Sequence, residues 1–122
     1  MKALQIVLLL LSIVFGQIPD TIYTHTRTRY ETGLFVSHEK HQLIKIYENW
    51  LRIDPQLSGV LRIKFTIKPD GSSDVSIIES TTHDEDFDRS ILQCVKHWLF
   101  PPKPGSNLIE ITYPFLFGEG DQ

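Results

Sequence analysis

HWLFPPKPGSNLIEITYPFLF, residues His97 to Phe117, holds the end of a helix, a forced corner and a strand in one short run. Just upstream, Phe87, Ile91, Cys94, Val95 and Trp98 recur at spacings of three and four, which puts them on one face of a helix. Thr82 followed three residues later by Glu85 has the pattern of a capping box, and Asp84, Glu85, Asp86 and Asp88 set negative charge at the positive end of the helix dipole. Pro101 and Pro102 lack the backbone donors that another turn needs, and Pro101 drives Phe100 out of helical geometry. After Pro104-Gly105-Ser106, the residues Ile109, Ile111, Tyr113, Phe115 and Phe117 alternate with Leu108, Glu110, Thr112, Pro114 and Leu116. That is the period of a strand with one face on a core. Pro114 cannot donate to a ladder, so the strand is expected at a sheet edge, or with its proline facing outward.

Working outward, Leu61, Ile63, Phe65 and Ile67 alternate with Arg62, Lys64, Thr66 and Lys68, a second strand of the same kind. Pro69-Asp70-Gly71-Ser72 supplies hairpin chemistry, and a further strand over Asp74 to Ser80 carries Val75 and Ile77 on one side and Ile78 on the other. Ser37 is a plausible N-cap for a helix ending near Ile53, with the stripe Leu43, Ile46, Tyr47, Trp50 and Leu51, before Asp54-Pro55 stops it. Residues 17–36 are rich in threonine and read as a tether or an extra extended segment. The order helix, strand, strand, helix, strand predicts an α+β domain. The helical crossover after the hairpin is long enough to join parallel strands; if it skips one position, the first strand lies in the middle and the three strands are all antiparallel in the expected order 2-1-3. Both helices are expected on one face.

The chain has 122 residues, a formal charge of −3 and 41% hydrophobic residues. That composition excludes disorder and gives no electrostatic basis for nucleic-acid binding. Lys2 followed by the apolar run Ala3 to Phe15 and Gly16 reads as a signal peptide over residues 1–16, or an uncleaved anchor. The run is shorter than the roughly 18 to 20 residues of a spanning helix. Any membrane association is therefore expected only through this N-terminal segment. Without it the chain remains long enough for one core without staples. Cys94 is the single cysteine, so no disulfide closes within the chain, and its place on the apolar helix face makes it a small buried hydrophobe.

In sequence order, Asp54-Pro55-Gln56-Leu57-Ser58-Gly59, the Pro69-Asp70-Gly71 hairpin, Glu79-Ser80-Thr81, Cys94, Trp98-Leu99-Phe100-Pro101-Pro102 and Tyr113-Pro114-Phe115-Leu116-Phe117 form a recognisable series. With it, residues 38–117 resemble the periplasmic C-terminal domain of TonB-like energy transducers, and most closely relatives in gliding-motility proteins of the AgmX/PglI type. The resemblance implies an αββαβ domain that is not an enzyme and that grips partner proteins of the cell envelope, a partner peptide adding to the sheet edge. Transducers carry a long proline-rich arm, whereas only residues 17–37 stand between the apolar start and this domain, with a tail at 118–122. Gliding-type relatives often carry a second cysteine where this chain has Ile46.

Other constellations in the chain have plainer readings. Asp84, Asp86 and Asp88 have the early spacing of a calcium loop, but Arg89 stands where glycine belongs and Val95 where glutamate belongs. His38 and His41 lack a third ligand at a recognisable spacing, and Ser90, Cys94 and His97 have no structural reason to form a triad. No catalytic residue, metal or cofactor is expected. The interaction surface is assigned to the third strand, with Leu108, Glu110, Thr112 and Leu116 facing away from the helices and contacting an envelope protein or peptide. The competing readings are a strand edge covered by residues 17–36 or by a second copy in a homodimer, an anchored subunit of a TonB-type transport or gliding assembly, and a small secreted hydrolase.

Overall fold

Alternation in two strands and helical spacing between them build the domain as the chain dictates. A computed structural model describes residues 27–118. It contains α1 (Arg29–Glu39), α2 (His41–Leu51), β1 (Gly59–Ile67), β2 (Ser73–Ser80), α3 (Glu85–Lys96) and β3 (Ile109–Phe117). The strands form one antiparallel sheet in the order β2-β1-β3, as expected from the hairpin and crossover. The expected leader over residues 1–16, the reading of residues 17–26 and the tail beyond Gly118 lie outside the described residues.

The core lies on the helix-bearing face of the sheet. Leu61, Ile63, Phe65 and Ile67 of β1 are wholly buried, as are Phe87, Ile91 and Val95 of α3. Each such side chain contributes about 1.5–3 kcal/mol on burial. Phe65 sits at the centre, stacked on Trp98 at 6.0 Å and edge-on to Phe100 at 5.9 Å. The Trp98 indole Nε1 donates to Gln42 Oε1 at 2.9 Å, which ties the end of α3 to α2.

Pro101 and Pro102 form the corner that returns the chain to β3, and the β1–β2 hairpin holds it. The Phe100 N–H donates to the Gly71 carbonyl at 2.9 Å. Gly71 has φ +96°, and a Cβ there would lie 2.0 Å from the Phe100 carbonyl oxygen, so both conformation and space require glycine. The buried Arg27 guanidinium donates to the Pro101 carbonyl and, at 2.9 Å, to the Lys68 carbonyl, clamping hairpin to corner.

Two helix starts differ from the sequence reading. The first helical region begins at Arg29, so Ser37 is an exposed residue within α1 and not an N-cap. Thr28 is the cap: its Oγ1 accepts from the Glu31 N–H at 3.0 Å, while Glu31 Oε1 accepts from the Thr28 N–H at 2.8 Å. This reciprocal box outweighs the β-branched content that favoured extended structure. Phe35 then packs against Phe100 at 4.4 Å between ring centroids, and Tyr113 OH donates to Thr32 Oγ1 at 2.9 Å. At the other helix, Asp84 and not Thr82 caps α3, accepting from the Phe87 N–H at 3.0 Å. Thr82 is buried instead and donates its hydroxyl to Asp88 Oδ1 at 2.6 Å.

Candidate functional site

The backbone of β1 decides which groups of β3 are free. Val60 exchanges hydrogen bonds with Thr81 on the β2 side, its N–H donating to Thr81 Oγ1 and its carbonyl accepting from the Thr81 N–H. Lys68 likewise donates to Ser72. Successive residues of a strand turn their backbone groups to opposite sides, so Leu61, Ile63, Phe65 and Ile67 face β3. Their partners are Phe115, Tyr113, Ile111 and Ile109. The backbone groups of Glu110, Thr112, Pro114 and Leu116 therefore point away from β1, along an edge that pairs with no other strand among the described residues.

Side-chain direction follows the same alternation. Ile111, Phe115 and Phe117 are buried and Tyr113 is half-buried, whereas Glu110, Thr112, Pro114 and Leu116 are exposed on the opposite face. Leu108 precedes β3 by one residue and is also exposed. The structure thus sets Glu110, Thr112 and Leu116 along one face of one edge strand, with Leu108 at its head. Glu110 Oε2 lies 3.9 Å from Lys64 Nζ on the neighbouring strand.

What sequence reasoning missed is the groove beneath this edge. Val36 of α1 and Leu43, Ile44, Tyr47 and Leu51 of α2 face Tyr113 to Gly118 across a cleft of about 740 Å³. That volume falls in the range of roughly 300–1,000 Å³ typical of ligand pockets. The Tyr47 ring lies 5.2 Å from that of Phe117, and its hydroxyl donates to the Leu57 carbonyl at 2.6 Å, so the wall is braced from behind. The α2 stripe was readable as periodicity; the wall from α1 was not.

Of the remaining chemistry-bearing side chains, Cys94, His41 and His97 have hydrogen-bond partners. Cys94 Sγ donates to Gln42 Oε1 at 3.4 Å, and burial pushes its thiol pKa up, which keeps it a weak nucleophile near neutrality. His41 Nδ1 lies 2.9 Å from the His38 carbonyl, and His97 Nδ1 lies 2.8 Å from the Gln93 carbonyl at the end of α3. Among the described residues no three histidine, cysteine, aspartate or glutamate side chains come together as a metal site. Among them, too, no helix is long and apolar enough to cross a membrane.

Comparison with known proteins agrees with this architecture. The solution structure of the Helicobacter pylori TonB C-terminal domain, residues 194–285, has the same fold, with TM-score 0.51 and 23% identity. The likeness covers 69% of this chain and 92% of that one. No curated protein matches the chain. The family model for the C-terminal region of Gram-negative bacterial TonB proteins matches residues 54–118, from the end of the first helical region through β3. The chain belongs to the TonB C-terminal domain family.

Proposed function

We propose that this chain is a non-enzymatic, periplasmic or cell-envelope protein-interaction module that holds a partner protein by strand addition at the β3 edge. One observation carries the reading: the outward N–H and carbonyl groups of Glu110, Thr112 and Leu116 form a row that no other strand occupies among the described residues. Such a row gives an extended chain its main-chain hydrogen bonds, and the flanking side chains give it specificity. Leu108, Glu110, Thr112 and Leu116 are the contact residues in this reading. Membership of the TonB C-terminal family supports the envelope setting. The motif series around Trp98 and Tyr113 supports kinship with the gliding-motility relatives.

The test is a proline at Thr112. Its N–H points outward, so Thr112→Pro removes an edge donor while leaving the β1 ladder intact. Capture of the envelope partner from the producing bacterium should fall at least tenfold with the circular-dichroism spectrum unchanged. Undiminished capture by the folded variant would move the site off β3.

A further inference from the structure

The groove beside β3 has an apolar floor and a rim whose chemistry changes along its length. Val36, Leu43, Phe115 and Phe117 are buried in the floor, where Tyr47 lies against Phe117. On the rim, Ser37 and Lys40 stand where α1 passes into α2, and Glu48 stands further along α2. Neither Ser37 nor Lys40 has a side-chain partner among the described residues, while the carboxylate of Glu39 beside them is taken up by Gln42 at 2.7 Å and His38 at 3.1 Å. Lys40 is exposed, and the intervening helix sets it about 12 Å from Glu48 along the axis. That distance exceeds the Debye length of about 8 Å at physiological ionic strength, so Glu48 does not neutralise Lys40.

We propose that the groove is a binding site for a single-chain carboxylate amphiphile, a free fatty acid of medium length. Its carboxylate accepts charge-assisted hydrogen bonds from the Lys40 ammonium and a hydrogen bond from the Ser37 hydroxyl, and its tail runs along Leu43, Ile44 and Leu51 toward Phe117. Roughly ten carbon–carbon bonds of an extended tail cover that length. Burial of the tail supplies the affinity, and the charges supply the direction, because a carboxylate at the other end of the rim would meet Glu48. The site uses none of the outward backbone groups of Glu110, Thr112 and Leu116, so it stands independently of strand addition.

Other occupants match these groups less well. A cationic amphiphile would set like charge against Lys40, and a neutral one would leave its ammonium unused. The residues beyond Gly118 are Glu-Gly-Asp-Gln, which offer the floor no apolar side chain. Residues 17–26 offer Ile18, Ile22 and Tyr23 in a segment that is otherwise polar or proline. A bilayer surface is flat and would reach the rim alone, whereas a cleft of about 740 Å³ is filled by a separate chain entering it.

Equilibrium dialysis tests the proposal on the full chain isolated from the envelope of a producing bacterium, with radiolabelled dodecanoate as the probe. Dodecanoate should bind saturably at a single site, at least tenfold more tightly than dodecylammonium, which has the same tail and the opposite charge, and than hexanoate, whose tail is too short to reach Leu51. Lys40→Glu should lower dodecanoate affinity at least tenfold and remove its advantage over dodecylammonium, while Lys40→Arg should keep both. Lys40 is exposed and Ile44 about half exposed (48%), so both are replaceable without loss of fold, and Ile44→Glu should weaken dodecanoate in the same direction. Thr112→Pro should leave dodecanoate binding unchanged, whatever it does to partner capture. Absent or non-saturable binding, equal affinity for the two head groups, or an affinity that Lys40→Glu does not move would overturn the inference. Loss of binding in Thr112→Pro would place the probe at the strand edge and overturn it too. Tighter binding of lysophosphatidylglycerol than of dodecanoate would assign the groove to a membrane lipid instead. Tighter dodecanoate binding by Ile22→Asp would assign it to the chain's own upstream segment, and affinity that falls as protein concentration rises would assign it to a second copy; each of these results overturns the fatty-acid assignment.

Discussion

The sheet ends in two strands that are unlike as edges. β2 pairs with β1 through a register shift at Arg62 and Ile63 that leaves Ile78 as an extra, exposed residue. It has no fully buried residue, and its outer-face charges are tied to β1, Glu79 to Arg62 at 3.0 Å and Asp74 to Lys68 at 3.7 Å. Bulges and charges of this kind are how proteins blunt an edge against unwanted pairing. β3 pairs with β1 over nine residues without a shift, rests on three buried side chains, and borders a mainly apolar groove whose lining also includes Ser37, Lys40 and Glu48. Among the described residues its blunting devices are Pro114, which removes a single donor, and one charge, Glu110, 3.9 Å from Lys64 of β1. The contrast teaches that an open edge alone does not mark a binding site; β3 is distinguished by regular backbone spacing together with somewhere for alternate side chains to go.

The largest expected effect removes the support beneath β3. Trp98 lies 6.3 Å from Phe115 and stacks on Phe65. Trp98→Ala should cost about 3–5 kcal/mol in urea unfolding, and amide exchange along β3 should rise more than along β2. A loss under about 1 kcal/mol would contradict the core assignment.

A smaller change asks the two edges the same question. Leu116 and Ile78 are equally exposed, each at 55%, one on each edge strand. Leu116→Glu should weaken partner capture about tenfold, while Ile78→Glu should leave it unchanged and both should keep wild-type melting. Equal losses from the two would erase the distinction between the edges.

The smallest effect concerns α1, which walls the groove. Burial tends to raise the Glu31 carboxyl, but hydrogen bonds from Thr28 and Lys103, with the charge of Lys103, outweigh it and hold the group below the usual carboxylate range. A depressed folded pKa stabilises above the unfolded pKa, and that contribution fades as pH falls through the folded one. Because the side chain is half exposed, the effect is modest. Glu31→Gln should lower the melting temperature slightly at neutral pH, and the gap to wild type should close on acidification below the carboxylate range. A gap independent of pH would assign the loss to packing.

Much of the fold was legible because each clue was local. Period-two alternation marked β1 and β3, Pro69-Asp70-Gly71 marked the hairpin, and the order 2-1-3 required in addition that the crossover skip one position, as it does. The start of α1 was equally local in kind, since Thr28 and Glu31 stand in capping-box spacing. It was hidden by the β-branched residues around it and by Gly33, and what holds the helix is remote: Thr32 to Tyr113, Phe35 to Phe100 and Glu31 to Lys103. Thr82 misled for the opposite reason, offering a box in sequence while its hydroxyl was needed by Asp88. The exposed residues of the candidate edge could be read from alternation, as could the outward-facing proline. The groove could not, because Val36 and Leu43 meet Phe115 and Phe117 only after the whole chain has folded back.

The central claim is that β3, and not β2, receives a partner strand, and site-specific photocrosslinking in the producing bacterium tests it most directly. A photoreactive residue is placed at Thr112 in one chain and at Ile78 in another, and the attached species are identified by mass spectrometry. The account expects one envelope protein joined at Thr112 through an extended segment and absent at Ile78. The same protein attached equally at both positions, or only copies of this chain attached at Thr112, would contradict it.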